Sequence, residues 1–279
     1  MADAARVLVL GCGYAGVALA RLARERGFEV LANVRSDARA ACLRAEGFVV
    51  VQRPSLDEAI AAHVDARTRV VVAFPPDGET DARVAPSLAR AARVTYLSST
   101  GVYGDVRGVV DDATPIPAGP ASSERSARLL AAEATYLRHG ATVLRCPAIY
   151  GPDRGLHVRI LRGQHRIPGD GTQHLSAIHV EDLAALVLAC SAPGETMLVG
   201  DREPARQIDV VRFVCESYGA PMPPLVPLES VHASLRADRR IDASRALAIL
   251  TAAGDALRYP SYREGMAPSA TALPQVGEA

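Results

Sequence analysis

Ten residues near the start constrain this chain more than any other stretch: Val7-Leu8-Val9-Leu10-Gly11-Cys12-Gly13-Tyr14-Ala15-Gly16. Four apolar residues run straight into a G-x-G-x-x-G, and Val17 to Arg26 continues with helical spacing. Strand, glycine turn and helix in that order are the context in which the motif predicts a dinucleotide site. Gly11 permits the tight turn, Gly13 lets the backbone approach a pyrophosphate, and Gly16 lets helix and strand pack closely. Tyr14 and Ala15 complete the turn. The helix N-terminus behind it offers unpaired N–H groups to phosphate oxygens.

The next strand, Phe28 to Val34, decides which dinucleotide. A site selective for NAD usually carries Asp or Glu about 20 residues past the glycines, where it binds the ribose hydroxyls. Here the residues are Asn33-Val34-Arg35-Ser36. The Arg35 guanidinium and Ser36 hydroxyl suit a 2′-phosphate, which a carboxylate would repel. The expected cofactor is NADP, with NAD possible. A surface arginine opening a loop is the other reading of Arg35.

Alternation continues beyond that point. A helix over Ala38 to Glu46 precedes strand Phe48–Val51, and a helix over Leu56 to Val64 precedes strand Arg69–Phe74, which runs into Pro75-Pro76. A helix near Ala82 to Ala92 leads to strand Val94–Ser99. Continuous β-branched runs separated by single helices predict a parallel sheet covered on both faces. Gly101 to Ser123 lacks periodicity and reads as an irregular loop. Glu124 to Arg138 is an amphipathic helix, Ala141–Cys146 a sixth strand, and Thr196–Val199 a seventh. The fold class is α/β, a doubly wound parallel Rossmann sheet in the order 3-2-1-4-5-6, with a small C-terminal substrate lobe. The expected division is a Rossmann domain over 1–154 completed by 176–200, a lobe from 155–175 and 201–265, and a disordered tail over 266–279. Ligands then belong beyond the carboxyl ends of the strands, where Gly11, Arg35, Phe74, Pro75, Ser98 and Ser99 share one rim.

Composition narrows the alternatives. The formal net charge is zero, which removes the electrostatic case for nucleic acid or an anionic membrane. The five cysteines are scattered without a C-x-x-C, against a disulfide scaffold or zinc site. No metal site is expected. The N-terminus leaves no room for a signal peptide, and no apolar run nears the roughly 18 residues of a membrane span. The reading is a soluble cytoplasmic protein, a monomer or homodimer acting on a small-molecule substrate. There is no lysine; every one of the 31 basic residues is arginine. No G-x-S-x-G, H-E-x-x-H or P-loop pattern occurs.

At Tyr96-Leu97-Ser98-Ser99-Thr100-Gly101-Val102-Tyr103-Gly104-Asp105 the sequence resembles the extended short-chain dehydrogenase/reductase superfamily, the NAD-dependent epimerase/dehydratase branch. Leu144-Arg145-Cys146-Pro147-Ala148-Ile149-Tyr150-Gly151-Pro152 resembles the strand-six motif that closes over the nicotinamide, which adds Cys146, Pro147 and Ile149 to the cofactor residues. Ile178-His179-Val180-Glu181-Asp182 resembles the start of the late helix that returns to the sheet. Arg240–Arg245 and Leu257–Gly265 resemble the C-terminal signature of an atypical subgroup.

The resemblance implies a Tyr-x-x-x-Lys pair on the helix after strand five, with the tyrosine as acid/base and the lysine lowering its pKa. Anchoring on Glu133 puts Arg125 at the tyrosine position and Leu129 at the lysine position; one residue earlier gives Glu124 and Arg128. Neither register supplies the pair. Ser99 keeps the place of the family serine, four residues before Tyr103, and orients a substrate oxygen or else caps the strand end. Guanidinium releases no proton, so Arg125 serves as an anion clamp or a solvated first-turn residue. Tyr103 and Tyr150 flank the expected cleft as donors or as ring anchors. Arg154, His157 and His179 border the substrate side with Tyr150, His179 fitting a helix N-terminus better than a base.

The expected activity is an atypical NADP-dependent oxidoreductase acting on a small carbonyl or hydroxyl substrate, with Ser99, Tyr103 and Arg125 as catalytic residues. An NAD(P)-dependent epimerase or dehydratase, and a catalytically inactive dinucleotide sensor, are the alternatives.

Overall fold

Val7, Leu8, Val9 and Leu10 are all fully buried, although a strand has two faces. Val7 and Val9 pack with one apolar cluster and Leu8 and Leu10 with another, so the first strand is sandwiched between two cores. Only a sheet covered on both sides produces that pattern. The computed structural model describes residues 6–52, 56–118, 123–231 and 235–268. The tail expected over 266–279 lies outside the described residues from 269 onward.

Seven strands form the sheet: β1 (Arg6–Leu10), β2 (Glu29–Val34), β3 (Val49–Gln52), β4 (Thr68–Val72), β5 (Arg93–Ser99), β6 (Thr142–Cys146) and β7 (Thr196–Leu198). All pair in parallel in the order β7-β6-β5-β4-β1-β2-β3. Helices α1 (Tyr14–Glu25) and α2 (Asp37–Ala45) cover one face, and α3 (Thr80–Val84) and α4 (Glu124–Arg138) the other. Helix α5 (Leu156–Leu161) belongs to a separate cluster, α6 (Val180–Ala189) packs on α1, α7 (Gln207–Tyr218) on α5, and α8 (Ser244–Ala252) on α6. A last turn, α9 (Tyr262–Gly265), is held by a capping box in which Ser261 and Glu264 satisfy each other's backbone N–H groups.

Two expected helices are shorter than their patterns. Residues 56–64 yield a 3₁₀ turn, Glu58–His63, entered through the Asp57 side-chain cap. The helix expected over Ala82 to Ala92 stops at Val84 and becomes a 3₁₀ turn, Ala85–Leu88. Pro86 explains the break, because it has no N–H and its ring clashes with the carbonyl four residues back. The stretch read as an irregular loop holds a short strand, Gly108–Val110, paired in parallel with Arg239–Ile241. Beyond the sheet, a third apolar cluster joins Tyr150, Ile160 and Ile167 to Val211 and Val214 of α7 and to Tyr262.

Candidate active site

The glycine turn divides its labour by position. Gly11 has φ +81, and a Cβ there would sit 2.7 Å from the Cβ and N of Phe74, so both the left-handed backbone and the packing exclude a side chain. A Cβ on Gly16 would lie 3.0 Å from Val9 Cγ1 and 3.1 Å from the Gly11 carbonyl. Gly13 meets only the Gly11 carbonyl at 3.9 Å, leaving an open cradle in front of α1. No side chain caps that helix and no acid occupies its first turn, so its leading N–H groups face the cradle unopposed. This is the fit a pyrophosphate requires.

Asn33 is the brace behind the turn. It is buried, its Oδ1 accepts from Gly11 N at 3.4 Å, its Nδ2 donates to the Val51 carbonyl at 3.0 Å, and its own carbonyl accepts from Cys12 N at 2.8 Å. Sequence reasoning saw in Asn33 only the lack of an acid; a polar residue ending an apolar strand was the available signal. Burial pushes the Cys12 and Cys146 thiols up to about 12, so both are neutral and unreactive.

At the end of β2, Arg35 is exposed and has no hydrogen-bond partner among the described residues. Ser36 caps α2, accepting from Arg39 N at 3.4 Å. The acid that follows, Asp37, is turned to β3, where its carboxylate accepts from the Gln52 amide. Tyr14 lies on the far side of the turn with the Arg154 guanidinium 5.1 Å from its ring centroid. Its buried hydroxyl is pushed up by desolvation and by Asp153, and it abuts Gly151, where a Cβ would fall 2.4 Å from it. Ala15 and Ile149 are half-buried against the core, and Pro147 is half-buried after β6.

Phe74, Pro75, Ser98, Ser99, Arg125 and Leu129 line one cavity of about 430 Å³ at the carboxyl ends of β4 and β5. Ser99 is half-buried, and its Oγ accepts from Gly101 N at 3.1 Å, capping the 3₁₀ turn Thr100–Tyr103. Arg125, in the first turn of α4, is exposed at the cavity mouth, whereas Arg128 is paired with Glu124. Beneath the cavity lies a buried polar network. Ser98 Oγ donates to Glu133 Oε1 at 2.6 Å, Arg145 Nη2 donates to Glu133 Oε2 at 2.7 Å, and Arg145 Nη1 donates to the Tyr103 hydroxyl at 2.9 Å. The sequence marked Glu133 only as an alignment anchor and left Arg145 without a role. A Glu on a buried helical stripe and an Arg inside an apolar strand were the signal that the two compensate each other.

Four expected site residues are placed elsewhere. Tyr103 is fully buried, because the 3₁₀ turn after β5 rotates its ring inward onto Arg145; it is an anchor with no face on the cavity. Tyr150 is buried too, its hydroxyl donating to the Ser261 carbonyl at 3.3 Å. His179 caps α6, accepting from Glu181 N at 3.3 Å with its ring 3.7 Å from that of Tyr259, and burial pushes it down to about 4. His157 is buried edge-on to Tyr150, and burial lowers its pKa. These three hold the third apolar cluster to the sheet; only Arg154, of the four residues expected on the substrate side, is exposed. Among the described residues no cluster of His, Cys, Asp or Glu is arranged to hold a metal ion, and no helix is long and apolar enough to cross a membrane.

A parallel seven-stranded sheet with an open glycine cradle at its carboxyl rim defines a Rossmann-type nucleotide-binding protein. The chain belongs to the NAD dependent epimerase/dehydratase family, whose profile matches residues 7–200. It is 26% identical to protein YeeZ of Escherichia coli K12 over 210 residues, 67% of this chain and 74% of that one. A conserved protein of unknown function from Silicibacter pomeroyi has the same fold with 28% identity and a TM-score of 0.79, covering 94% of this chain and 96% of that one. UDP-glucuronic acid 4-epimerase from Bacillus cereus, solved with NAD, shares the fold at 17% identity, with a TM-score of 0.73 and the same coverage of both chains.

Proposed function

We propose that this protein is an NADP-dependent oxidoreductase of atypical type, acting on a small carbonyl or hydroxyl substrate in the cavity between Phe74, Ser99 and Arg125. The carrying observation is the rim of β2, where Arg35 has no hydrogen-bond partner among the described residues while Asp37, two residues on, is held by Gln52. The Gly11–Gly16 turn and the N-terminus of α1 would hold the pyrophosphate, Arg35 the 2′-phosphate, and Phe74 and Pro75 the flank of the cofactor. When bound, that cofactor supplies hydride.

The chain's own contribution is orientation. Ser99 directs its hydroxyl at a substrate oxygen, Arg125 binds an anionic group at the cavity mouth, and Leu129 keeps the inner wall dry. With Tyr103 and Tyr150 buried, water at the open mouth supplies or takes the proton. Residues 155–175 and 201–265 form the lobe that carries substrate selectivity. A second reading, a dinucleotide sensor without turnover, is favoured by one observation: the chain contains no lysine that could fill the family pair.

Fluorescence titration with NADPH and NADH tests the proposal. The intact chain should bind NADPH more tightly, and Arg35→Asp should weaken NADPH far more than NADH. Equal losses would remove the phosphate argument. Tight NADPH binding without oxidation by any carbonyl class would establish the sensor reading.

A further inference from the structure

The corner formed by β2, α1 and α2 is rich in arginine, and most of it is committed. Arg21 makes a bidentate pair with Glu46, both contacts at 2.9 Å. Arg24 donates to the Glu46 carbonyl at 2.6 Å and lies over the Phe48 ring. Arg44 donates to Gln52 at 3.2 Å. The acids are committed as well, Glu46 to Arg21 and Asp37 to Gln52. Two guanidinium groups are left over. Arg35 follows the last residue of the strand, Arg39 sits four residues on in the first turn of α2, and both are exposed with no side-chain hydrogen bond or salt bridge among the described residues. Arg39 lines a groove along α1 with Tyr14 and Arg21, and its charge is near enough to the Cys12 thiol of the glycine turn to act on it.

We infer that Arg39 is a second arm of the cofactor clamp, closing with Arg35 on the 2′-phosphate of an adenosine 2′,5′-bisphosphate moiety; this rests on the NADP reading above. A phosphomonoester carries about −1.5 to −2 charges at neutral pH, which one guanidinium leaves under-compensated and two match. Arginine forks engage such a group through paired N–H donors. Ser36 holds the backbone N–H of Arg39 and so fixes where that side chain leaves the helix. Arg39 is carried by α2, and Arg35 sits in the two-residue connection between β2 and α2, so little ordering is needed on binding.

Isothermal titration of the chain with 2′,5′-ADP, 5′-AMP, NADPH and NADH tests the assignment without turnover. Arg39→Gln removes an exposed, unpartnered side chain and should leave the unfolding midpoint unchanged. It should weaken 2′,5′-ADP and NADPH by about tenfold to a hundredfold, the loss of one charge-assisted contact, and 5′-AMP and NADH by less than about twofold. Arg39→Lys should fall between. If Arg35→Gln abolishes the preference for 2′,5′-ADP and Arg39→Gln does not alter it, the second arm is overturned while the NADP reading stands. If the unaltered protein binds 5′-AMP and NADH as tightly as their 2′-phosphorylated counterparts, the NADP reading falls and the clamp with it.

Discussion

Glu133→Gln is the substitution that most sharply tests how the cavity floor is built. The carboxylate is 4% exposed at its side chain and accepts from both Arg145 and Ser98. The amide keeps the shape but removes the charge, leaving the Arg145 guanidinium, 11% exposed, without a counter-ion and with the Tyr103 hydroxyl and at most one amide oxygen, for which Ser98 competes, as acceptors. Breaking a buried pair by removing one partner costs about 3–5 kcal/mol, much of it the desolvation of the charge left behind. The Ser98 hydroxyl retains an acceptor in the amide oxygen or loses about 1 kcal/mol more. Scaled by the unfolding entropy of a chain this long, the fall in melting temperature is roughly 5–9 °C. Urea and thermal unfolding of the parent, Glu133→Gln, and the double variant Glu133→Leu with Arg145→Met read it directly. The double variant removes both charges together and should lose less than half of what the single variant loses. The reasoning fails if Glu133→Gln stays within about 1 kcal/mol of the parent, or if the double variant loses as much as two independent breaks.

Two further predictions concern chemistry and pH. Arg125→Ala should raise KM for carboxylate- or phosphate-bearing substrates by about tenfold or more while leaving NADPH affinity in place; an equal loss of NADPH affinity would move Arg125 to the cofactor. Asp201, buried beside the carboxylates of Glu203, Asp182 and Glu264, is pushed up to about 8, chiefly by burial. Its folded pKa lies above the unfolded value, so its contribution to stability is full below about pH 4 and is lost as pH rises through about 8. Asp201→Asn should therefore match the parent at pH 4 and exceed it at pH 9, by on the order of a few kcal/mol in urea unfolding; a constant difference across that range would refute the assignment.

What was legible in the sequence was local. Val7 to Gly16 specifies strand, turn and helix within ten residues, because burial on both faces, a left-handed φ at Gly11 and close packing at Gly16 all act over a few bonds. The same holds for the alternation that yields the sheet, including β7, and for Glu124–Arg138, whose apolar stripe appears in the residues themselves. Where local rules competed, position decided, as at Pro86.

Tertiary structure alone decided which polar groups compensate one another. Ser98, Glu133 and Arg145 are far apart in the chain, and nothing in their spacing says that one carboxylate serves both partners. Gly108–Val110 reads as loop until Arg239–Ile241 arrives beside it, since a strand needs a neighbour's hydrogen bonds to exist. Tyr103 and Tyr150 look like cleft hydroxyls, yet packing turned both inward. Of the arginines around β2, only the fold shows which are paired and which, Arg35 and Arg39, make no side-chain hydrogen bond or salt bridge among the described residues. Periodicity encodes which face of an element is buried; which charge it will meet there depends on neighbours brought together from across the chain.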